Sequence, residues 1–313
     1  MRNNQTKGLV QGAMMVAIFT VLLAITINVP IISIVASLFA PLPIAWYSAT
    51  YARKMSLLVT VVAVLLSFFI GGILVAPIAL VLAAAGFVIG DGLRLKKSKI
   101  YLFISTSVVL LFTLAIEYLI SLRLFEFDLI HDSLKIMKES YVASLEFVES
   151  TTGQSPLTEE VLADMFKMVE MTIPASVTMA MVFLAIIFIT VNLPLLKRFG
   201  IEVPKFAEFK NLRLPRAVLW YYLIVLSINL FVRPEMGTTL YIVMLNISMI
   251  LWILLTIQGL AFIFYVLDVY KSPPFLKVVT VFMAIPLYSF VILIGILDLG
   301  FNMREYVNNK TQK

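Results

Sequence analysis

The stretch VAVLLSFFIGGILVAPIALVLAAAGFVIGDGLR, residues 62–94, meets no charged side chain until Asp91. A helix needs about 20 mostly apolar residues to cross about 30 Å of hydrocarbon, where no water is available to satisfy backbone amides. This one stretch holds the end of one such span and the whole of another, separated at Gly71-Gly72. The rest of the chain has the same character. Of 313 residues, 61% are hydrophobic and 13% charged, with a mean hydropathy of +1.02. Soluble domains run at about 45–50% apolar and about 25% charged, and disordered chains have the opposite bias. The solvent for most of this polypeptide is therefore lipid.

Nine segments qualify as spans: residues 8–28, 30–51, 55–71, 73–93, 100–122, 172–196, 217–232, 239–267 and 276–300. Pro41 and Pro43 predict a break in the second, and the seventh is short. The fold class expected is all-α, a polytopic transmembrane bundle of about nine spans. Lys and Arg in short loops resist translocation and fix orientation. Arg53 and Lys54, then Arg94, Lys96, Lys97 and Lys99, then Lys197 to Arg216 all fall on one side, which is read as the cytoplasm, with the N-terminus. The expected localisation is the bacterial cytoplasmic membrane, multi-pass. A nine-span count sends Arg304, Lys310 and Lys313 outside, against that rule.

The chain divides into a membrane core (1–122 and 172–196), an acidic exoplasmic insertion (123–171), a basic cytoplasmic loop (197–216) and a C-terminal three-span block (217–313). In the insertion, Ile130, Leu134, Met137, Tyr141, Leu145 and Val148 line one helix face. A turn is expected over 150–155. A second short helix follows Pro156, with Thr158 as N-cap and Glu159 and Glu160 in its first turn. Two such helices cover a cavity, lie on the membrane, bind a partner, or pack on the bundle's rim.

Signals for chemistry are sparse. There is no Cys, which removes disulfides and thiolate chemistry, and one His, His131, which makes a histidine metal site improbable. No GxxxxGK[ST], HExxH or GxSxG occurs, so neither ATP hydrolysis nor enzyme activity, cofactor or metal is expected. The charge of +6 is distributed as loop lysines and arginines, which argues for topology and against nucleic acid. Charges within spans are costly and so point to function. Asp91, Asp268 and Asp298 sit at span ends, but Glu117, with Tyr118 beside it, lies inside the fifth span. Glu117 is read as a ligand anchor or protonatable group, against snorkelling or a pair with Arg123. Small residues recur four apart at Gly8/Gly12, Ala13/Ala17, Ala79/Ala83 and Gly86/Gly90, a spacing that lets helices approach closely. In the first span this face is either internal packing or a partner-docking surface.

The run GLVQGAMMVAIF from Gly8, the proline-interrupted PIISIVASLFAPLPIAWYSATYARK from Pro30 and the 62–94 stretch resemble the start of S components of energy-coupling factor (ECF) transporters. The likeness covers roughly residues 8–196. The whole chain, with NLRLPRAV around Pro215 and the ending GILDLGFNMRE, looks like the YybS-like family of bacterial membrane proteins. The S-component likeness implies a six-helix core that captures a small molecule from outside and relies on a separate coupling subunit and ATPases. It also implies docking through Ala13 and Ala17, with Gly8 and Gly12, and a pocket walled by the outer ends of the first and the fourth to sixth spans. Asn28, Glu117 and Tyr118 are the ligand-binding residues expected there. The insertion and the three added spans depart from that pattern. The alternative is a non-transporting membrane scaffold or regulator that uses the acidic insertion or the basic 197–216 loop to hold a protein partner, such as another membrane protein.

Overall fold

A computed structural model describes residues 2–153, 158–205 and 208–311, and every regular element among them is a helix. Among the described residues, seven helices are long and apolar enough to cross a membrane, and an eighth candidate is a bent pair, Phe275–Ala284 with Tyr288–Phe301. The shorter apolar helix Ala217–Val232 completes the nine expected segments. Many of their apolar side chains face outward, as Ile31, Phe69 and Leu74 do at 94%, 87% and 82% exposure, which suits a lipid solvent. The protein is an integral, multi-pass membrane protein.

The chain forms two compact units. The first comprises residues 1–156 and 177–205. It contains α1 (Arg2–Asn28), α2 (Pro30–Phe39), α3 (Pro41–Thr50), α4 (Arg53–Gly71), α5 (Ala76–Arg94), α6 (Lys99–Leu124) and α7 (Leu129–Thr152). The expected proline break falls between α2 and α3, because Pro41 and Pro43 supply no amide to the preceding turn. Asn192 covers that break by donating its amide to Leu38 O at 3.0 Å. Gly86 and Gly90 on α5 are the reason α3 packs so closely: a Cβ at either would collide with the carbonyl of Pro41 or Ala45. Four-residue spacing in this span therefore serves internal packing.

Within the insertion α7 carries the expected apolar face, and none of its residues is buried. Asp128 caps it, its carboxylate accepting from the amides of Ile130 and His131, both at 3.1 Å. These bonds hold the Asp128 carboxyl below the usual carboxylate range, the His131 amide contributing most. The expected turn over 150–155 begins as Gly153 in the left-handed conformation, and Gln154 and Ser155 lie outside the described residues, as does Pro156.

Two sequence expectations change in form. The helix expected after Pro156 and the sixth span are one helix, α8 (Glu159–Arg198), with no break at 171–172. Thr158 does cap it, accepting from Val161 N at 3.4 Å. Its first part, to Ser176, belongs to the second unit and the remainder to the first.

The second unit adds residues 206–313. It holds α9 (Ala217–Ser227) with a π-helical turn (Ile228–Val232), α10 (Thr239–Val269), α11 (Phe275–Ala284), α12 (Tyr288–Phe301) and α13 (Met303–Thr311). Asn246 on α10 binds the α8 segment, donating to Met171 O and accepting from Ala175 N, both at 2.7 Å. The expected ninth span is the bent pair α11–α12, whose axes differ by 109° at the break around Pro286. Both of its ends lie beside Lys210. Lys277, early in α11, pairs with Asp268, which Lys210 also binds at 2.6 Å. Arg304, just beyond α12, donates to Lys210 O at 2.8 Å. A segment whose two ends both lie near Lys210 makes no net crossing. The tail after Phe301 therefore lies on the side of the 208–214 loop, and the expectation that it emerges opposite is corrected. The excess of positive charge that a nine-span count left on the wrong side disappears with it.

Candidate functional site

Glu117 sits on α6 with its Oε1 buried, and no hydrogen-bond partner for that oxygen exists among the described residues. Nor does it form an ion pair with Arg123 or any other described residue. Its carboxyl faces a pocket of ≈ 300 Å³ lined by Ser37, Pro77, Val81, Leu184 and Phe188, from α2, α5 and α8. Ser37 donates its hydroxyl to Ile34 O at 2.8 Å, so its proton is used within α2. The pocket thus offers an apolar wall and one acceptor, which favours a small ligand with an apolar body and a cationic or hydrogen-bond-donating group.

The other residues expected at the site lie apart from this wall. Tyr118 donates to Asp128 at 3.3 Å, which ties the end of α6 to the cap of α7. Asn28 is exposed and donates to Ala24 O of its own helix at 2.8 Å. The second, fourth, fifth and sixth spans supply the lining, with the second in the place expected for the first. On α1, Gly8 and Gly12 are buried: Gly8 lies against the Tyr51 ring, and Gly12 against Val59 and the Tyr47 hydroxyl. Tyr47 donates to Gly8 O at 3.1 Å, and Tyr51 to the Gln11 side chain. Those two glycines are thus engaged within the chain, whereas Ala13 and Ala17 remain exposed.

A second polar centre, which the sequence did not mark, lies in the second unit. The Asp298 side chain is fully buried and that of Arg304 is 8% exposed. Asp298 Oδ2 accepts from Gln258 Nε2 at 2.6 Å and from Arg304 Nε at 3.2 Å, while Oδ1 has no partner among the described residues. Gln258 accepts from Leu214 N at 2.9 Å, and Arg304 donates to Lys210 O and Leu212 O, both at 2.8 Å. Asn302 ends α12 in the left-handed conformation, a state Asn tolerates, and so turns Arg304 back onto Asp298. Outside it, Lys210 bridges Glu208 and Asp268 at 2.6 Å each, which pushes its ammonium pKa up, the Asp268 bond contributing most. Every acceptor of this centre but one is paired with a donor of the same unit, which marks it as a structural clamp. No group of His, Asp and Glu suited to a metal ion occurs among the described residues.

Comparison with known proteins agrees with the membrane architecture. The uncharacterized protein YybS of Bacillus subtilis (strain 168) is 26% identical over 312 residues, covering 97% of this chain and 99% of that protein. No solved structure matches the chain. The family model described as "Predicted membrane protein (DUF2232)" matches residues 17–299, which is most of the chain, and the protein therefore belongs to the DUF2232 family of membrane proteins.

Proposed function

We propose that the first unit captures a small molecule at the Glu117 pocket, as the substrate-binding subunit of an uptake system in the bacterial cytoplasmic membrane. The observation that carries this reading is the Glu117 carboxylate oxygen, buried with no partner among the described residues against an apolar pocket wall. A charge left unpaired at that depth is expensive, and a cationic or donor-bearing ligand compensates it. The chain carries no nucleotide-binding motif, so uptake draws on a separate ATPase and coupling subunit of the energy-coupling factor kind. With the loops bearing Arg94 to Lys99 and Lys197 to Arg216 in the cytoplasm, the N-terminus is cytoplasmic.

The test is a thermal-shift and equilibrium-binding screen of the purified protein with vitamins, nucleobases and organic amines, alongside uptake measurements in a deletion strain. A ligand lost on Glu117→Gln, with expression and monodispersity unchanged, supports the reading. The absence of any binder, together with unaltered uptake in the deletion strain, sinks it.

A further inference from the structure

Two adjoining hollows on the first unit, one between α1 and α4 and one between α1 and the end of α3, share Leu9 and Met55 and are read together as one trough. The inner part, ≈ 580 Å³, is lined by apolar side chains including Ala13, Val16, Ala17, Leu58 and Leu66. The outer part, ≈ 880 Å³, is amphipathic and lined by Lys7, Gln11, Trp46, Thr50 and Tyr51. Lys7 opens the first span, and Arg53 and Lys54 follow directly on Ala52 of the same lining. Positive charge and two aromatic side chains with polar edges thus mark a membrane–water border, where such rings settle.

We infer that this trough is a binding site for one anionic phospholipid of the leaflet facing the Lys7 side, its headgroup at Lys7 and one acyl chain along Ala13 and Ala17. Length decides between a lipid tail and a partner's helix. From Leu9 to Val21 the trough runs about 18 Å along α1 at about 1.5 Å per residue, close to one leaflet of a core about 30 Å thick. A transmembrane helix of a partner needs a seam across the whole bilayer, whereas a tail anchored at the border fills one half. Charge agrees, since the mouth is cationic and the inner wall uncharged. Gly8 and Gly12 form the floor because their missing side chains let Tyr47 and Tyr51 approach, and this leaves Ala13 and Ala17 as the small residues that keep the trough open.

The test uses the full-length protein purified in mild detergent and in nanodiscs of phosphatidylglycerol or phosphatidylcholine. Native mass spectrometry and phosphorus assay should find about one phospholipid retained per chain after delipidation. Phosphatidylglycerol should be retained about fivefold better than phosphatidylcholine, the factor one lysine contributes near a membrane surface. Lys7→Gln should abolish that preference while retaining a lipid, and Ala13→Phe with Ala17→Phe should lose both lipids. Thermal melting of each variant, compared with wild type without lipid, separates a filled trough from a misfolded chain. Inorganic phosphate alone should not raise the melting temperature. The inference is overturned if the delipidated wild type retains no phospholipid. It is equally overturned if a folded Ala13→Phe/Ala17→Phe variant retains as much as wild type, or if that variant loses a membrane protein partner and no lipid.

Discussion

Replacing Arg304 by Met strands the buried Asp298 carboxylate and also removes the donor to Lys210 O and Leu212 O. Breaking a buried pair by deleting one partner costs about 3–5 kcal/mol, because the remaining charge keeps its desolvation penalty and loses its compensation. Each carbonyl left unpaired adds to that cost, by about 1–3 kcal/mol where water cannot reach it. Arg304→Met should therefore destabilise the second unit by about 4 kcal/mol or more. Asp298→Ala, which leaves the guanidinium on its two carbonyls, should cost about 3 kcal/mol. Asp298→Asn should cost less, since an amide oxygen still accepts from Gln258 and Arg304. The double variant Asp298→Ala/Arg304→Met should fall short of the summed single effects by about 2 kcal/mol, within the range found for residues in direct contact. Unfolding by sodium dodecyl sulfate in mixed micelles, followed by circular dichroism, measures all four. If the double variant equals the sum to within about 0.5 kcal/mol, the two side chains are energetically independent and the clamp described above does not exist.

Four further outcomes follow from the geometry. The chain has no Cys, so single cysteines can be labelled without background: one at Asn309 should react from the same membrane face as one at Glu208 and the opposite face from one at Gly237, and labelling of Asn309 from the Gly237 face would overturn the turned-back path of α11 and α12. Gly295→Ala places a Cβ against the Leu255 carbonyl of α10, and Gly259→Ala one against Val291 O, so each should destabilise by about 1–3 kcal/mol in the same unfolding assay. Asp128→Ala should speed hydrogen exchange at Ile130 and His131 and free Tyr118, while Asp128→Asn should keep much of the protection. Because the carboxyl of Asp128 is held below its usual range, its contribution is complete above that range and is lost only as pH falls through the depressed value, a loss that exchange at these amides in mild acid measures.

How far the sequence could be read depends on the kind of information each feature needs. Span positions largely follow from composition alone, since about 20 apolar residues admit no other solvent: seven of the nine segments appear as helices long enough to cross, the seventh as a shorter apolar helix and the ninth as a bent pair. The break at Pro41 and the cap at Thr158 are local chemistry and are legible for that reason. Glu117 was identifiable because a carboxylate inside a span is rare and costly. Hydropathy does not record direction, and this hid the turn between α11 and α12. The clues were Pro286 midway through 276–300, and charges at both ends, Lys277 and Arg304, that oppose a crossing. The clamp was hidden for another reason: Gln258 meets Asp298 40 residues away, and Arg304 meets Lys210 94 residues away, separations that no local pattern encodes. Gly259 is the one glycine of α10, and Gly295 shares α12 only with Gly300, five residues on, so neither belongs to a four-residue repeat of glycines and the α10–α12 approach they permit gave no motif either.

The clamp also answers what holds a hairpin in place when its surroundings are as apolar as its side chains. Among the residues of α11 only Ala284 is buried, and Phe282, Ile285 and Phe290 are 66%, 74% and 65% exposed. In water such a face would drive association, but in lipid those side chains gain little by leaving the tails for another helix. What remains is close backbone approach at Gly259 and Gly295 and hydrogen bonding at the ends, through Lys277–Asp268 and Arg304–Asp298. The position of α11 and α12 should thus respond to polar substitutions at the ends and ignore apolar ones on the outward face. Phe282→Leu and Phe290→Leu, each keeping an apolar surface toward lipid, should change unfolding stability by less than about 0.5 kcal/mol. A loss comparable to that of Arg304→Met would mean that the outward face is packed against protein, and that the hairpin is held by apolar contacts and not by its charged ends.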